Sequence, residues 1–242
     1  MVHNPITAFH SEVYLNHNQK RLEHLASLGL NINNSSVLEV GAGIGDHTGF
    51  FLERGCEVLS TEPRIENLRV LQSRHKRVCT LNLDMENPPG KLQGLFDIVY
   101  CYGLLYHLAT PREGIDFMAK HCCNLLLLET CVSSGSGEYI NLCDEYAADM
   151  TQSISGKGCR PTRKWIYSQL KRHFEFVYMP ITQPNHPEFP IDWTSIESNP
   201  NDLIRSIFIA SRHKLNNPLL VEEIPMQQRK FQKDNIPQML NK

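Results

Sequence analysis

The sequence predicts a doubly wound α/β domain, a mostly parallel sheet with helices on both faces. Three observations predict it. Residues 37–48, Val-Leu-Glu-Val-Gly-Ala-Gly-Ile-Gly-Asp-His-Thr, read as an apolar strand, a glycine turn and a helix start. Short strands and amphipathic helices then alternate as far as residue 130, the rhythm of successive βα units. The strands in that stretch are near-continuous apolar runs, as strands covered on both faces must be.

In chain order, residues 8–29 read as a helix, with Leu15, Leu22, Leu25 and Ala26 at helical intervals and Gly29 as its stop. Its polar face, with Tyr14, Asn18 and Arg21, is read as solvated. A polar linker at 31–36 leads into the first strand. Glu39 is out of place among Val37, Leu38 and Val40 unless it has a polar task. Gly41, Gly43 and Gly45 let the backbone approach a ligand where a Cβ would collide, and Asp46 or Thr48 can cap a helix over 46–54 that stops at Gly55. A second strand at 57–60 ends just before Glu62.

A helix over 65–73, with Leu68 and Leu71 inward, leads to a third strand at 77–81 and then to Asn82-Leu83-Asp84-Met85. A fourth strand at 95–101 runs into Tyr102-Gly103-Leu104-Leu105-Tyr106-His107. Thr110-Pro111-Arg112-Glu113 has the form of a capping box with proline at the first helical position. A fifth strand at 124–128 ends at Glu129 and Thr130. From 131 to 160 the pattern lapses, with a flexible Ser-Gly run at 133–137 and a short helix expected within 141–150.

Pro161 opens a helix to His173, and 174–179 and 203–211 have the character of two closing strands in an antiparallel pair. Between them four prolines over 180–190 forbid helix and make a stiff loop. The expected organisation is an N-terminal helical lid at 1–36, the α/β domain at 37–214 with excursions at 131–160 and 180–200, and a polar tail at 215–242.

Formal charge is -2 and 41% of residues are hydrophobic, which gives no global pull toward nucleic acid or anionic membrane. The first residues carry no basic flank and no long apolar segment, so neither a signal peptide nor a membrane span is expected, and the expected compartment is the cytoplasm. The eight cysteines, Cys56, Cys79, Cys101, Cys122, Cys123, Cys131, Cys143 and Cys159, include no Cys-x-x-Cys pair and are expected as reduced thiols. No ligand spacing supports a zinc site on Cys143 or Cys159, and no metal is expected.

The glycine spacing discriminates between nucleotide cofactors. A dinucleotide fingerprint needs its third glycine at position 46, which is Asp; here the third falls at Gly45, with Glu39 two residues before the first. This order, acidic-x-Gly-x-Gly-x-Gly, resembles motif I of the class I S-adenosylmethionine-dependent methyltransferases. The resemblance implies a seven-stranded sheet of order 3-2-1-4-5-7-6 with the seventh strand antiparallel, and S-adenosyl-L-methionine as cofactor with S-adenosylhomocysteine as product. It implies that Glu39 helps hold the cofactor ammonium over Gly41, Gly43 and Gly45, and that Asp84 and the Met85 amide take the adenine. Glu62, at the end of the second strand, is placed to accept the ribose hydroxyls. A helix ahead of the first strand is a common lid in that family, so Tyr14, Asn18 and Arg21 are alternatively placed to touch cofactor or substrate. The Leu-Tyr-His segment at 105–107 is similar to that of enzymes modifying the wobble uridine of tRNA and of bacterial saccharide-associated methyltransferases.

Chemistry is expected after the fourth strand, since ligands sit at the carboxyl ends of parallel strands. His107 is the expected general base, with Glu129 as orienting or alternative acid, while Tyr102 and Tyr106 frame the methyl group or the acceptor. Arg163, Asn185, His186 and Trp193 are expected at the substrate, the last three joining polar groups to a stacking surface as sugar sites do. Six basic residues over 157–173 with no acid read as a solvated helix face, the alternatives being a grip on phosphate or carboxylate, or on RNA. The expected reaction is O-methylation of a small polar or saccharide-like acceptor, the alternatives being tRNA modification and a catalytically silent cofactor-binding subunit. Oligomeric state is left open.

Overall fold

The computed structural model describes residues 4–90, 92–195 and 203–232. The chain opens with α1 (Pro5–Phe9) and α2 (Glu12–Ser27). The single helix expected over 8–29 is thus two, because the first ends at its cap His10 and Ser11 caps the next by accepting from the Tyr14 amide at 3.3 Å. β1 (Ser36–Val40) leads through the glycine turn to α3 (Thr48–Leu52), then β2 (Glu57–Thr61), α4 (Ile65–Arg74) and β3 (Cys79–Leu81). α3 is shorter than the 46–54 expected, and neither predicted cap is made. Asp46 is held by His10 at 3.0 Å and Arg74 at 2.6 Å, and the Thr48 hydroxyl donates to Glu39 at 2.6 Å.

β4 (Phe96–Tyr102) is followed by a 3-10 turn at Leu105–His107, α5 (Pro111–His121) and β5 (Cys122–Val132). The capping box before α5 does not form: the Thr110 hydroxyl turns to Glu86 at 3.2 Å instead. β5 outruns its prediction because residues 125–132 pair antiparallel with a later strand. In the excursion, β6 (Ile140–Asp144) pairs with β7 (Lys157–Pro161) as an antiparallel ribbon, so the helix expected within 141–150 is replaced by a strand and turns. α6 (Arg163–Lys171), β8 (Phe176–Pro180), β9 (Thr182–Gln183), β10 (Ile204–Ser211), β11 (Leu220–Val221) and β12 (Arg229–Lys230) complete the order.

The main sheet runs β3-β2-β1-β4-β5-β10-β8-β11. β1 to β5 are parallel and β10 is antiparallel to both neighbours. This is the expected seven-strand order, with β10 and β8 as the seventh and sixth strands and β11 added outside as an eighth. Side chains alternate between two buried layers. Leu38, Val40, Val99, Cys101, Leu126 and Leu128 pack under α5 and α6, and Val37, Ile98, Tyr100, Leu125 and Leu127 pack with Leu25, Leu28 and Phe51 on the other face. With both faces closed, the open ground for a ligand is the carboxyl edge of β1, β2 and β4. No helix among the described residues is long and apolar enough to cross a membrane.

Candidate active site

At that edge lies a cleft lined by the glycine turn, α2 and the segments that follow β2 and β4. Its floor is the glycine turn. Gly41 and Gly43 have φ of +71° and +57°, and a Cβ on either would stand 2.9 Å from the Leu104 side chain or the Phe9 ring. Gly45, at φ +81°, turns away from the cleft toward Leu71 and His75 of α4.

Two buried carboxylates stand beside this turn. Glu39 Oε2 accepts from the Thr48 and Ser60 hydroxyls, each at 2.6 Å, and burial pushes its pKa up to about 7. Glu62 Oε2 accepts from the Gly43 amide at 3.0 Å, and its Oε1 from the Arg64 amide and the Asn67 side chain at 3.1 and 3.0 Å. Burial raises the Glu62 pKa, with those hydrogen bonds opposing. Asp84, Met85 and Tyr102 line the same cleft. The Asp84 side chain accepts from the Glu86 amide at 2.9 Å, and the Tyr102 ring stacks on Tyr100 at 4.5 Å.

α2 walls one side, and here the solvated-face reading is corrected. Tyr14, Asn18 and Arg21 line the cleft, and Asn18 and Arg21 are 6% and 3% exposed. The polar stripe of α2 packs onto a polar network rather than facing water. Arg21 Nη1 donates to Glu129 Oε2 at 2.8 Å, and Arg205 Nη1 donates to Glu129 Oε1 at 3.0 Å. Glu129 is fully buried between these two arginines and does not touch His107. The expectation that Glu129 orients His107, or acts as an alternative acid, is therefore corrected: both its oxygens are committed to guanidinium groups.

The carboxylate on His107 is Glu145, whose Oε2 lies 2.5 Å from His107 Nδ1 and accepts from the Ser153 amide at 2.8 Å. Burial lowers the His107 pKa and Glu145 opposes it, so the imidazole is neutral near pH 7. Glu145 belongs to the excursion, whose residues 150–154 close the cleft. Arg64 Nη2 anchors that segment on the carbonyls of Ala147, Gln152 and Ser153 at 2.8 to 3.2 Å. Asn67 binds the Met150 carbonyl at 3.1 Å.

The remaining expected substrate residues are dispersed. The Tyr106 hydroxyl accepts from Arg205 Nη2 at 3.1 Å, beside the cleft. The Arg163 guanidinium stacks on Trp193 at 3.7 Å, donates to the Pro225 carbonyl at 2.8 Å and lines a second groove with Ser133 to Ser136. Asn185 is exposed, and His186 is buried beside His17, away from both. The basic residues over 157–173 are engaged within the chain: Lys157 with Asp144, Arg160 with Glu145, Lys164 with Glu138, Lys171 with a carbonyl and Arg172 with Gln169. Buried Arg163 and half-buried Arg160 do not fit the solvated face expected of them.

Glu145 and Arg205 are the site residues that sequence reasoning missed, while Arg21 was named only as the alternative to a solvated face. For Arg21 there was a signal, since it follows His17 and Asn18 by helical steps on one face of α2; Glu145 and Arg205 carried none.

The cleft fits an adenosyl amino acid. The glycine turn, where positive φ and the Leu104 and Phe9 side chains leave no room for a Cβ, lies between two buried carboxylates, and the buried Tyr102 hydroxyl and Arg21 Nε in the cleft walls have no hydrogen-bond partner. Fold and cleft together resemble those of the class I S-adenosylmethionine-dependent methyltransferases. Residues 38–122 match a family described as a methyltransferase domain. No curated protein matches the chain in sequence.

Among solved structures, the chain is similar to the N-terminal domain of EvdMO1 with S-adenosylhomocysteine bound (19% identity, 81% of this chain and 80% of that one, TM-score 0.58). It is also similar to magnesium protoporphyrin IX methyltransferase from Synechocystis PCC 6803 with bound S-adenosylmethionine (14%, 86% and 89%, 0.54). A third similar structure is the 1,6-didemethyltoxoflavin-N1-methyltransferase of Burkholderia thailandensis (16%, 84% and 80%, 0.51). At these identities the likeness speaks for the fold.

One prediction follows from Glu39. The free protein holds this carboxyl at a pKa of about 7, and a bound ammonium group favours its ionised form, so binding releases a proton. Affinity for S-adenosylhomocysteine is expected to rise roughly tenfold between pH 6 and pH 8, and to rise little in Glu39→Gln. Calorimetry across that range checks it; a flat wild-type profile removes Glu39 from the ammonium.

Proposed function

We propose that the chain transfers the methyl group of S-adenosylmethionine to an oxygen of a small polar or saccharide-like acceptor in the cytoplasm. The carrying observation is His107 in the cleft wall, fixed through Nδ1 by Glu145. Bound cofactor supplies an electrophilic methyl for in-line displacement. Glu39 takes its ammonium, Glu62 its ribose hydroxyls, and Asp84 with the Met85 amide its adenine. Arg21 Nε and the Tyr102 hydroxyl, both lacking partners, meet its amino-acid end.

With Glu145 accepting the Nδ1 proton, His107 Nε2 carries the lone pair that removes a hydroxyl proton as the new C–O bond forms. Glu145 stabilises the resulting imidazolium. Tyr106 stands at the acceptor side, and Arg163 and Trp193 face the distal part of a larger acceptor. α1 and α2 act as a lid, and the 131–160 excursion as the opposite wall. Internal engagement of the basic segment favours a small acceptor over tRNA. The EvdMO1 domain was crystallised in the presence of S-adenosylhomocysteine and D-fucose, which places sugars first in an acceptor panel.

Methyl-labelled cofactor incubated with sugars, nucleotide sugars, phenols and tRNA, read by mass spectrometry, tests the reading. Cofactor binding with no labelled product across the panel counts against it and favours a silent subunit. His107→Ala is expected to lower kcat on the identified acceptor by about 10²–10⁴ while leaving cofactor affinity unchanged. Glu145→Gln removes the group that raises the His107 pKa, so the acid limb of the kcat profile moves to lower pH and the plateau falls. An unmoved limb excludes the pair from proton transfer.

A further inference from the structure

Outside the cleft, His17, His186 and Glu188 converge, with one potential ligand atom from each lying within 4.8 Å of the others. His17 lies on α2 one turn before Arg21; His186 and Glu188 come from the proline-rich loop. The two imidazole rings are 4.8 Å apart at their centroids, and His17 Nε2 is 3.7 Å from Glu188 Oε2. His17 Nε2 is buried and has no hydrogen-bond partner. A buried polar atom left unpaired costs about 1–3 kcal/mol, so this nitrogen calls for a ligand.

We propose that His17, His186 and Glu188 form a binding site for a borderline divalent cation of the Zn2+ class, with water completing the shell. Two imidazoles and one carboxylate suit such an ion, whereas Mg2+ and Ca2+ prefer all-oxygen shells. Burial, reinforced by Arg21 and Arg205, holds His17 far below its usual pKa, and burial likewise lowers His186. Both are thus neutral near pH 7, the ligating form.

Arg205 Nε holds Glu188 Oε2 at 2.5 Å, the kind of outer hydrogen bond that fixes a ligating carboxylate, whose oxygens keep further lone pairs to offer. The charges of Arg21 and Arg205 are matched by Glu129 and Glu188. Donors at about 2.1 Å from a tetrahedral ion stand roughly 3.4 Å apart. The His17–Glu188 pair is close to that spacing already, and His186 closes on them by side-chain rotation. The Glu188 side chain is 25% exposed, which gives an ion its way in. Such an ion clasps α2 to the proline-rich loop and so fixes the helix that carries Arg21 into the cleft.

The full chain, stripped with chelator, is titrated with Co2+ as a spectroscopic stand-in and with Zn2+ by calorimetry. One ion per chain, visible absorption bands and a raised Tm are expected. His17→Ala and His186→Ala are each expected to lose roughly 100-fold in affinity, as removal of one of three ligands implies. Far-UV circular dichroism checks folding, and His186→Asn, on the loop, carries the test where His17→Ala does not fold. No uptake at stoichiometric metal overturns the proposal. So does uptake unchanged by the His186 substitutions, which places the ion on other histidines or cysteines.

Discussion

Replacing Glu129 with alanine is expected to destabilise the fold by about 3–5 kcal/mol, the usual cost of stranding one side of a buried ion pair. In a chain of this length that lowers Tm on the order of 10 °C. Arg21 and Arg205 are both buried, and each gives one Nη to Glu129, which is itself fully buried. Without it two guanidinium groups share a dry site with the remaining hydrogen bonds to Asn18, Tyr106 and Glu188. Thermal unfolding followed by circular dichroism measures the loss. Arg21→Met, Glu129→Leu and Arg205→Met together are expected to recover most of it, because an apolar trio of similar volume leaves no charge unpaired. A loss below about 1 kcal/mol in the single variant would mean that water reaches the arginines.

Replacing Glu62 with alanine is expected to weaken S-adenosylhomocysteine binding by roughly 100-fold. Two hydroxyl-to-carboxylate hydrogen bonds are worth about 1.5–3 kcal/mol each, and part of that is returned by water entering the gap. Glu62 also accepts from the Gly43 amide, so its loss loosens the middle of the glycine turn. Glu62→Gln separates these effects: it keeps an acceptor for the Gly43 amide and gives up the charge, and an intermediate affinity is expected. Calorimetry decides; an affinity within threefold of the wild type in the alanine variant takes the ribose away from Glu62.

The parts of this architecture that were legible in the sequence are those written in local chemistry. Glycine at 41 and 43 was readable because positive φ and a crowded Cβ position leave no other residue. The existence of the central strands followed from apolar runs between helices, and their order from what the family resemblance implied. What escaped was decided by distant partners. The polar stripe of α2 looked like a wetted surface because periodicity reports amphipathicity without saying what the polar side meets, and here it meets Glu129, 108 positions from Arg21. The start of the segment 141–150 was read as helix because β6, largely exposed to solvent, has little apolar alternation to display. Glu145 gave no signal at all, since its partner His107 is 38 residues away across a fold that had yet to form.

The segment from Glu145 to Ser153 is a single mechanical part with two attachments. One end grips the imidazole of His107; the rest is pinned by Arg64 and Asn67, the neighbours of Glu62. Through Asn67, which also donates to Glu62, and through Glu145, the surroundings of Glu62 and of His107 are tied to one stretch of chain.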